Sequence, residues 1–349
     1  MDLSTTYLGL RLKNPLVASA SPLSRTLDGI RQLEEDGAAA VVLFSLFEEQ
    51  VTQEDRWAAS IDLSAGARGY LEALRYYPSS AQYRVGPDEY LDLVSLAKRS
   101  LSIPVIGSLN GVSPDGWTRY ARLIEQAGAD ALELNLYFLP ADSALTGADV
   151  EQKYLDTVRA VKQSVACPVA VKIGPYFSAL PNMVSRFVAA GADALVLFNR
   201  FYQPDFDVES EATTAHITLS RSEDLRVALR WVSLLSGNVD VDFAVTGGVH
   251  THDDVLKAVL AGARVTQMAS EPLQNGTQRF GQITAELERW LDAHQFGSLS
   301  ELHGRRTLRA LVADPAASER AGYIQMLHSL DPSLDPDLSG QTAEREKRP

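Results

Sequence analysis

Three kinds of residue in this chain stand where chemistry would be placed. The first is Lys172, a lysine inside the otherwise apolar run "VAVKIG". A lysine is rarely buried unless its charge has a partner. A bound anion, or a cofactor that becomes anionic, is one such partner. Glu133, in the run "ALELNL", is the other. The second kind is an amide: Asn135 and Asn199 each end an apolar run prefaced by "AGADAL". An amide both donates and accepts, which suits recognition of a planar polar ring or bonding to backbone. The third is the glycine pair Gly247 and Gly248 in "TGGVHTHDD", followed by Ala269 and Ser270 in "MASEP". A Gly-Gly turn lets backbone N–H groups approach an anion such as phosphate closely. The alternative is an ordinary tight turn.

These residues need elements to hold them. "EDGAAAVVLF" (35–44), "AGADALELNL" (127–136), "AGADALVLFN" (190–199) and "AGARVTQMA" (261–269) each place a glycine before a short apolar run. The glycine suits a helix C-cap and the run suits a buried strand. With "PLVASAS", "IPVIGSL", "CPVAVKIG" and "DFAVTGG", eight strands are expected near 16–20, 39–45, 103–109, 131–136, 168–174, 194–199, 242–247 and 265–269. Amphipathic segments such as "DGWTRYARLIEQAG" and "MVSRFVAAG" lie between them. Near-continuous apolar strands alternating with helices imply a parallel sheet covered on both faces. Eight of them imply an eight-stranded parallel β/α (TIM) barrel, with an open doubly wound sheet as the alternative.

A barrel puts its chemistry at the C-terminal ends of the strands. Those ends carry Ala18, Ser19, Phe44, Ser45, Ser108, Asn110, Asn135, Tyr137, Lys172, Asn199, Thr246, Gly247, Gly248, Ala269 and Ser270. The loops after strands seven and eight are the usual phosphate site of such barrels. Two long excursions, 46–102 after strand two and 200–240 after strand six, also leave from this face. They either cover the active site or form a contact such as a homodimer interface. Residues 1–330 read as one barrel domain and 331–349 as a solvated, flexible tail rich in Pro, Ser and Asp.

Composition narrows the function. The net charge is −13 and the basic residues are scattered, which argues against nucleic acid as a partner. No run approaches the ~18 apolar residues of a membrane span. The start lacks the basic and apolar regions of a signal peptide. The single cysteine, Cys167, allows no internal disulfide and fits a cytoplasmic protein. It is expected as a buried small residue at the start of strand five. His250 and His252 have a metal-like spacing, but with Asp253 and Asp254 they suit the acidic first turn of a helix, and no metal is expected.

With these residues in place, the chain resembles the dihydroorotate dehydrogenase family. The likeness rests on "LGLRLKNPLVASAS", "LELNL", "PVAVKIGPYF", "AVTGGVHTHDDVLKAVLAGARVTQMAS" and "SLSELHG". The family are flavoproteins whose barrel holds FMN and whose reaction, in pyrimidine biosynthesis, turns dihydroorotate into orotate. The resemblance implies that Ala18 and Ser19 pack against the flavin. It implies that Asn135 and Lys172 face its ring, with Lys172 near the N1/C2 carbonyl edge. Asn199 falls in the region that contacts substrate and flavin, so Asn135 and Asn199 are also the expected substrate residues. Gly247, Gly248, Ala269 and Ser270 would bind the phosphate, with Ser220 as a further candidate. A cation near N1 stabilises the charge that develops when hydride reaches N5.

The departures are as informative. The family's strand-four motif runs Asn-Leu-Ser, then a Cys or Ser base, then Pro-Asn. Here it runs Asn135, Leu136, Tyr137, Phe138, Leu139, Pro140. Phe138 stands at the base position and takes no proton, although dihydroorotate oxidation removes a C5 proton as the C6 hydride leaves. Phe44 stands where the family often has a flavin-contacting lysine. The expected protein is therefore an FMN oxidoreductase acting on a different small molecule, or a flavin-binding protein without turnover. Tyr137, Tyr176, Tyr202 and His216 are the proton-donor candidates, and Tyr137 equally suits packing over the flavin.

Overall fold

The computed structural model describes residues 1–47, 87–111, 114–138, 140–200, 205–209, 213–214, 218–308 and 314–328. The chain begins with an antiparallel hairpin of β1 (Thr5–Tyr7) and β2 (Leu10–Leu12). The barrel strands follow as β3 (Leu16–Ala18), β4 (Ala40–Val42), β6 (Val105–Gly111), β7 (Ala131–Leu136), β8 (Val169–Ile173), β9 (Ala194–Leu197), β12 (Asp242–Thr246) and β13 (Val265–Met268). The short β5 (Leu46–Phe47) continues β4 along β6, and β10 (Asp205–Phe206) pairs with β11 (Thr213–Thr214) outside the barrel. The sheet runs β4-β3-β13-β12-β9-β8-β7-β6 and returns to β4, all parallel. That last pairing closes the barrel and excludes the open-sheet alternative.

The outer ring comprises α1 (Leu27–Glu35), α2 (Pro87–Ser100), α3 (Pro114–Gln126), α4 (Gly147–Ser164), α5 (Leu180–Ala189), α6 (Leu225–Leu235), α7 (His252–Ala261) and, after the six-residue α8 (Ser270–Asn275), α9 (Arg279–Ala293). A further helix, α10 (Pro315–His328), follows the barrel. The repeated glycine does what its position implies. Gly128 and Gly191 have φ of 103° and 105°, the left-handed region, where they end α3 and α5 and turn the chain into a strand. Thr146 and Thr251 start α4 and α7 with reciprocal capping boxes to Asp149 and Asp254.

Strand side chains alternate between two cores. On β7, Leu132, Leu134 and Leu136 face outward and pack with helix residues such as Val158 and Val161. Ala131 faces inward with Ala170, Ala194, Ala244, Val17 and Val265. This lower inner layer is small, and Tyr7, Leu8 and Leu12 of the hairpin fill it from below. Each large apolar side chain so buried contributes about 1.5–3 kcal/mol. The floor is tied down where Asp2 N–H donates to Gly297 O (3.2 Å) and Leu299 N–H to Asp2 O (2.9 Å).

One irregularity shapes the mouth. Val42 pairs with Ile106 and Leu46 with Leu109, so four steps along one strand match three along the other. The extra residue is a bulge, which strands the backbone of Ser108. Tyr90 of α2 fills the gap: its hydroxyl accepts from Ser108 N–H (2.8 Å) and donates to Ser108 O (3.2 Å). Burial raises the Tyr90 hydroxyl well above the ordinary phenol range, which keeps that proton in place.

Cys167 differs from expectation. It is only partly buried because it sits in the turn before β8, its N–H held by Glu125 (2.7 Å). Residues 48–86, Leu139, Tyr202, His216 and the segment from 329 onward lie outside the described residues, and with them most of the first excursion and the expected tail.

Candidate functional site

The second inner layer is polar. Lys172 on β8 and Glu133 on β7 meet at 3.2 Å, with side chains 7% and 1% exposed. Glu133's other oxygen accepts from Gln267 Nε2 of β13 (2.6 Å). Gln267 Oε1 accepts from Ser19 Oγ (3.3 Å), and Ser19 Oγ accepts from Lys172 Nζ (3.4 Å). The four side chains form a closed ring. In strand order β7 and β13 stand opposite each other, so the ring spans the barrel's interior. Lys172 thus has the carboxylate partner that the sequence offered as one alternative. All four residues are at least 94% buried, so each polar group depends on the others.

Above the ring lie the amides. Asn135 Oδ1 accepts from Asn199 Nδ2 at 2.8 Å, and Asn199 N–H donates to Ile173 O (2.8 Å). On β6, Ser108 Oγ meets Ser45 Oγ at 2.8 Å. Phe44 lies beside them, edge-on to Tyr90 with ring centroids 5.0 Å apart. Ala18 ends β3 against Met268, and the following Ser19 N–H donates to Met268 O (2.9 Å).

The loops after β12 and β13 converge with the segment before α6. Gly248 N–H donates to Ser220 Oγ (3.1 Å) and Ser220 N–H donates to Ser270 Oγ (3.0 Å). Gly248 has φ of 81°, and a Cβ there would lie 2.3 Å from Leu225 N, so only glycine fits. Gly247, at φ 83°, would meet nothing within 4 Å and borders open space. Ser220, Gly248 and Ser270 are therefore in contact, with Gly247 and Ala269 adjacent in the chain.

A charged network backs this turn. His250 Nε2 lies 3.3 Å from Ser220 Oγ, and its Nδ1 lies 2.8 Å from Glu271 Oε2. Glu271 also accepts from Arg279 Nε (2.5 Å) and Asn275 Nδ2 (3.0 Å). Burial alone would raise the Glu271 carboxyl, but these hydrogen bonds outweigh it and hold the group below the usual carboxylate range. His252 turns away to Glu286 (3.3 Å) and Asp253 (3.4 Å). The two histidines do not converge, and no cluster suited to a metal occurs among the described residues.

After β7 the chain leaves the barrel as Tyr137 and Phe138. Lys153 Nζ sits 4.2 Å from the Phe138 ring centroid, and Tyr154 OH donates to Phe138 O (3.2 Å). Helix α4 thus clasps Phe138 from the side by a cation–π contact. Tyr176 is 71% exposed.

Gln267, Glu271, Arg279 and Tyr90 were not singled out from sequence. The available signal for Gln267 was its place two residues from Val265 on a strand whose alternate side chains face the lumen.

The fold is a closed β/α barrel, a scaffold whose enzymes carry their chemistry at the carboxyl ends of the strands. A family model described as dihydroorotate dehydrogenase matches residues 81–291, and the chain belongs to that family. It is 27% identical over 308 residues to the catalytic subunit of an NAD(+)-type dihydroorotate dehydrogenase B from Thermoplasma acidophilum, covering 87% of this chain and 98% of that one. The corresponding subunit from Methanothermobacter thermautotrophicus is 26% identical over 310 residues, 86% and 97% of the two chains. Subunit PreA of an NAD-dependent dihydropyrimidine dehydrogenase from Escherichia coli is 24% identical over 326 residues, 87% and 76% of the two chains. The family are flavin-dependent oxidoreductases acting on CH–CH groups, and this chain is an enzyme of that kind. No helix among the described residues is long and apolar enough to cross a membrane.

Proposed function

We propose that the protein is an FMN-dependent oxidoreductase acting on a CH–CH bond of a small cyclic substrate other than dihydroorotate. The observation that carries the reading is one barrel end holding both a glycine–serine turn, Gly248 with Ser220 and Ser270, and the buried Lys172 of β8. The residues fit the cofactor. The open space at Gly247 and the close approach at Gly248 suit a phosphate met by backbone N–H groups. Ser220, Gly247, Gly248, Ala269 and Ser270 would hold that phosphate. Ala18 and Ser19 would pack against the ring, and Asn135, Lys172 and Asn199 would face it, with Asn135 and Asn199 also toward substrate. Bound FMN supplies hydride transfer. Lys172, held by Glu133 and Ser19, would supply positive charge toward the ring.

Phe138 argues against dihydroorotate. The base position carries a hydrocarbon ring that α4 holds in place, so no proton is taken there. Tyr137 stands next to it as the candidate proton donor. Dihydropyrimidines are the substrate class that the relatives' names suggest. Those names also describe subunits, which supports assembly with a further, different chain; a homodimer is a separate case that rests on the long excursions alone. The test is the absorption spectrum of the purified protein, identification of FMN after denaturation, and anaerobic titration with dihydroorotate and 5,6-dihydrouracil. We expect an FMN spectrum that dihydroorotate bleaches poorly. Absence of flavin overturns the cofactor; rapid bleaching by dihydroorotate overturns the substrate reading. Lys172→Ala should weaken FMN binding or slow flavin reduction, and no change in either would overturn its role.

A further inference from the structure

We propose that His250 is a positioning residue of the phosphate cradle, switching Ser220 from acceptor to donor so that seating a phosphate takes up a proton. The inference rests on the FMN reading above and concerns how that site manages charge.

The hydrogen-bond inventory forces the switch. Glu271 is an ionised acceptor 2.8 Å from His250 Nδ1, so Nδ1 carries a hydrogen in either charge state. The state of Nε2 is then the only variable. In the neutral ring Nε2 is bare and accepts the hydroxyl proton of Ser220 across 3.3 Å. Ser220 Oγ also accepts from Gly248 N–H (3.1 Å). Its single hydrogen points inward, and the hydroxyl offers an incoming anion only lone pairs. In the protonated ring Nε2–H donates to Ser220 Oγ instead. The hydroxyl hydrogen is released and can be given to a phosphate oxygen.

The surrounding charges set the balance. Glu271 faces His250 from α8 and Arg279 from α9, where its guanidinium also donates to His250 O (3.2 Å). Asp254, on His250's own side, accepts from His250 N–H (3.1 Å) and from Ser222 Oγ (2.7 Å). Lys257 lies 3.8 Å from Asp254 and is largely exposed. Two carboxylates therefore face one partly buried cation and one largely exposed cation. An arriving phosphate dianion adds negative charge on the Ser220 side, which favours the imidazolium. His250 thus acts through Ser220.

The test measures FMN affinity by quenching of flavin fluorescence, from about pH 6 to about pH 8, for the parent protein and His250→Gln. Riboflavin, which lacks the phosphate, is titrated in parallel. Glutamine offers an amide donor to Ser220 at every pH, so it keeps the contact and loses the titration. The FMN phosphate itself gains a proton near pH ~6, but equally with both proteins. We expect the ratio of the two FMN affinities to grow about tenfold toward the acid end, while the riboflavin ratio stays flat. Calorimetry of the parent protein in two buffers of different ionisation heat gives a second readout. It should show uptake of up to about one proton with FMN and none with riboflavin. Parallel pH curves, or FMN binding without proton uptake, overturn this inference and leave the FMN reading intact. Failure of FMN to bind at any pH overturns both.

Discussion

Replacing Glu133 by glutamine removes the counter-charge of Lys172 while keeping the shape of the barrel's inner layer. At 3.2 Å and an effective dielectric of roughly 20, the pair's attraction is about 5 kcal/mol before desolvation is counted. The side chains are 7% and 1% exposed, so solvent cannot replace the missing partner. Removing one member of such a pair costs about 3–5 kcal/mol. Glu133→Gln should lose stability in that range by urea denaturation. Lys172→Met should lose stability too, because it leaves the carboxylate with only Gln267. The double variant buries neither charge alone and should lose less than the sum. A coupling of about 0.5–3 kcal/mol is expected. Losses that simply add, or a Glu133→Gln protein within about 0.5 kcal/mol of its parent, would refute the ring as a unit that depends on charge pairing.

Other perturbations test other contacts. Tyr90→Phe removes the hydroxyl that serves both Ser108 backbone groups; a loss of about 2–4 kcal/mol in denaturation is expected, and a loss near zero would mean another group fills the bulge. Gly248→Ala forces a Cβ to 2.3 Å from Leu225 N and should lower FMN affinity by more than tenfold, whereas Gly247→Ala meets open space and should cost about 1–2 kcal/mol of backbone strain. Equal effects of the two in dialysis and denaturation would contradict the geometry. Burial, then the charge and hydrogen bond of Glu125, push the Cys167 thiol up to about 12 from its ordinary 9.0. The reactive thiolate is therefore about a thousandfold scarcer near neutral pH and grows as pH rises, so alkylation should be slow and Glu125→Gln should speed it. Phe138→Cys alone should not give rapid reduction by dihydroorotate, as anaerobic bleaching would show.

Much of the fold was legible because one rule repeats. A glycine at the end of α1, α3, α5 and α7 must take positive φ, and the apolar run behind it must be buried. The expected strands lie within a few residues of those observed. The mouth residues followed from strand order, since every strand's end faces the same way. The partners were less legible. Gln267 sits among buried neighbours, and only its inward phase along β13 distinguishes it. Tyr90 fits an amphipathic helix as core, and nothing local tells that its hydroxyl replaces a strand rung. His250 suggested a metal by spacing, but its partners Glu271 and Arg279 come from α8 and α9, where sequence distance hides them. Cys167 lies in the turn two residues before β8, just short of the strand that would have buried it.

The stitched floor has a consequence in time. The first residues of the chain bond to Gly297 and Leu299, and the first barrel strand, β3, pairs with the last, β13. A chain emerging from the ribosome therefore cannot finish its barrel vectorially. Until β13 (Val265–Met268) has been made, β3 has an unpaired edge and the hairpin has no complete lumen to plug. Closure waits on contacts of the longest sequence separation in the domain, which slows folding and leaves strand edges exposed meanwhile. The nascent protein is thus most vulnerable to mispairing while β3 waits for Val265–Met268 to be made.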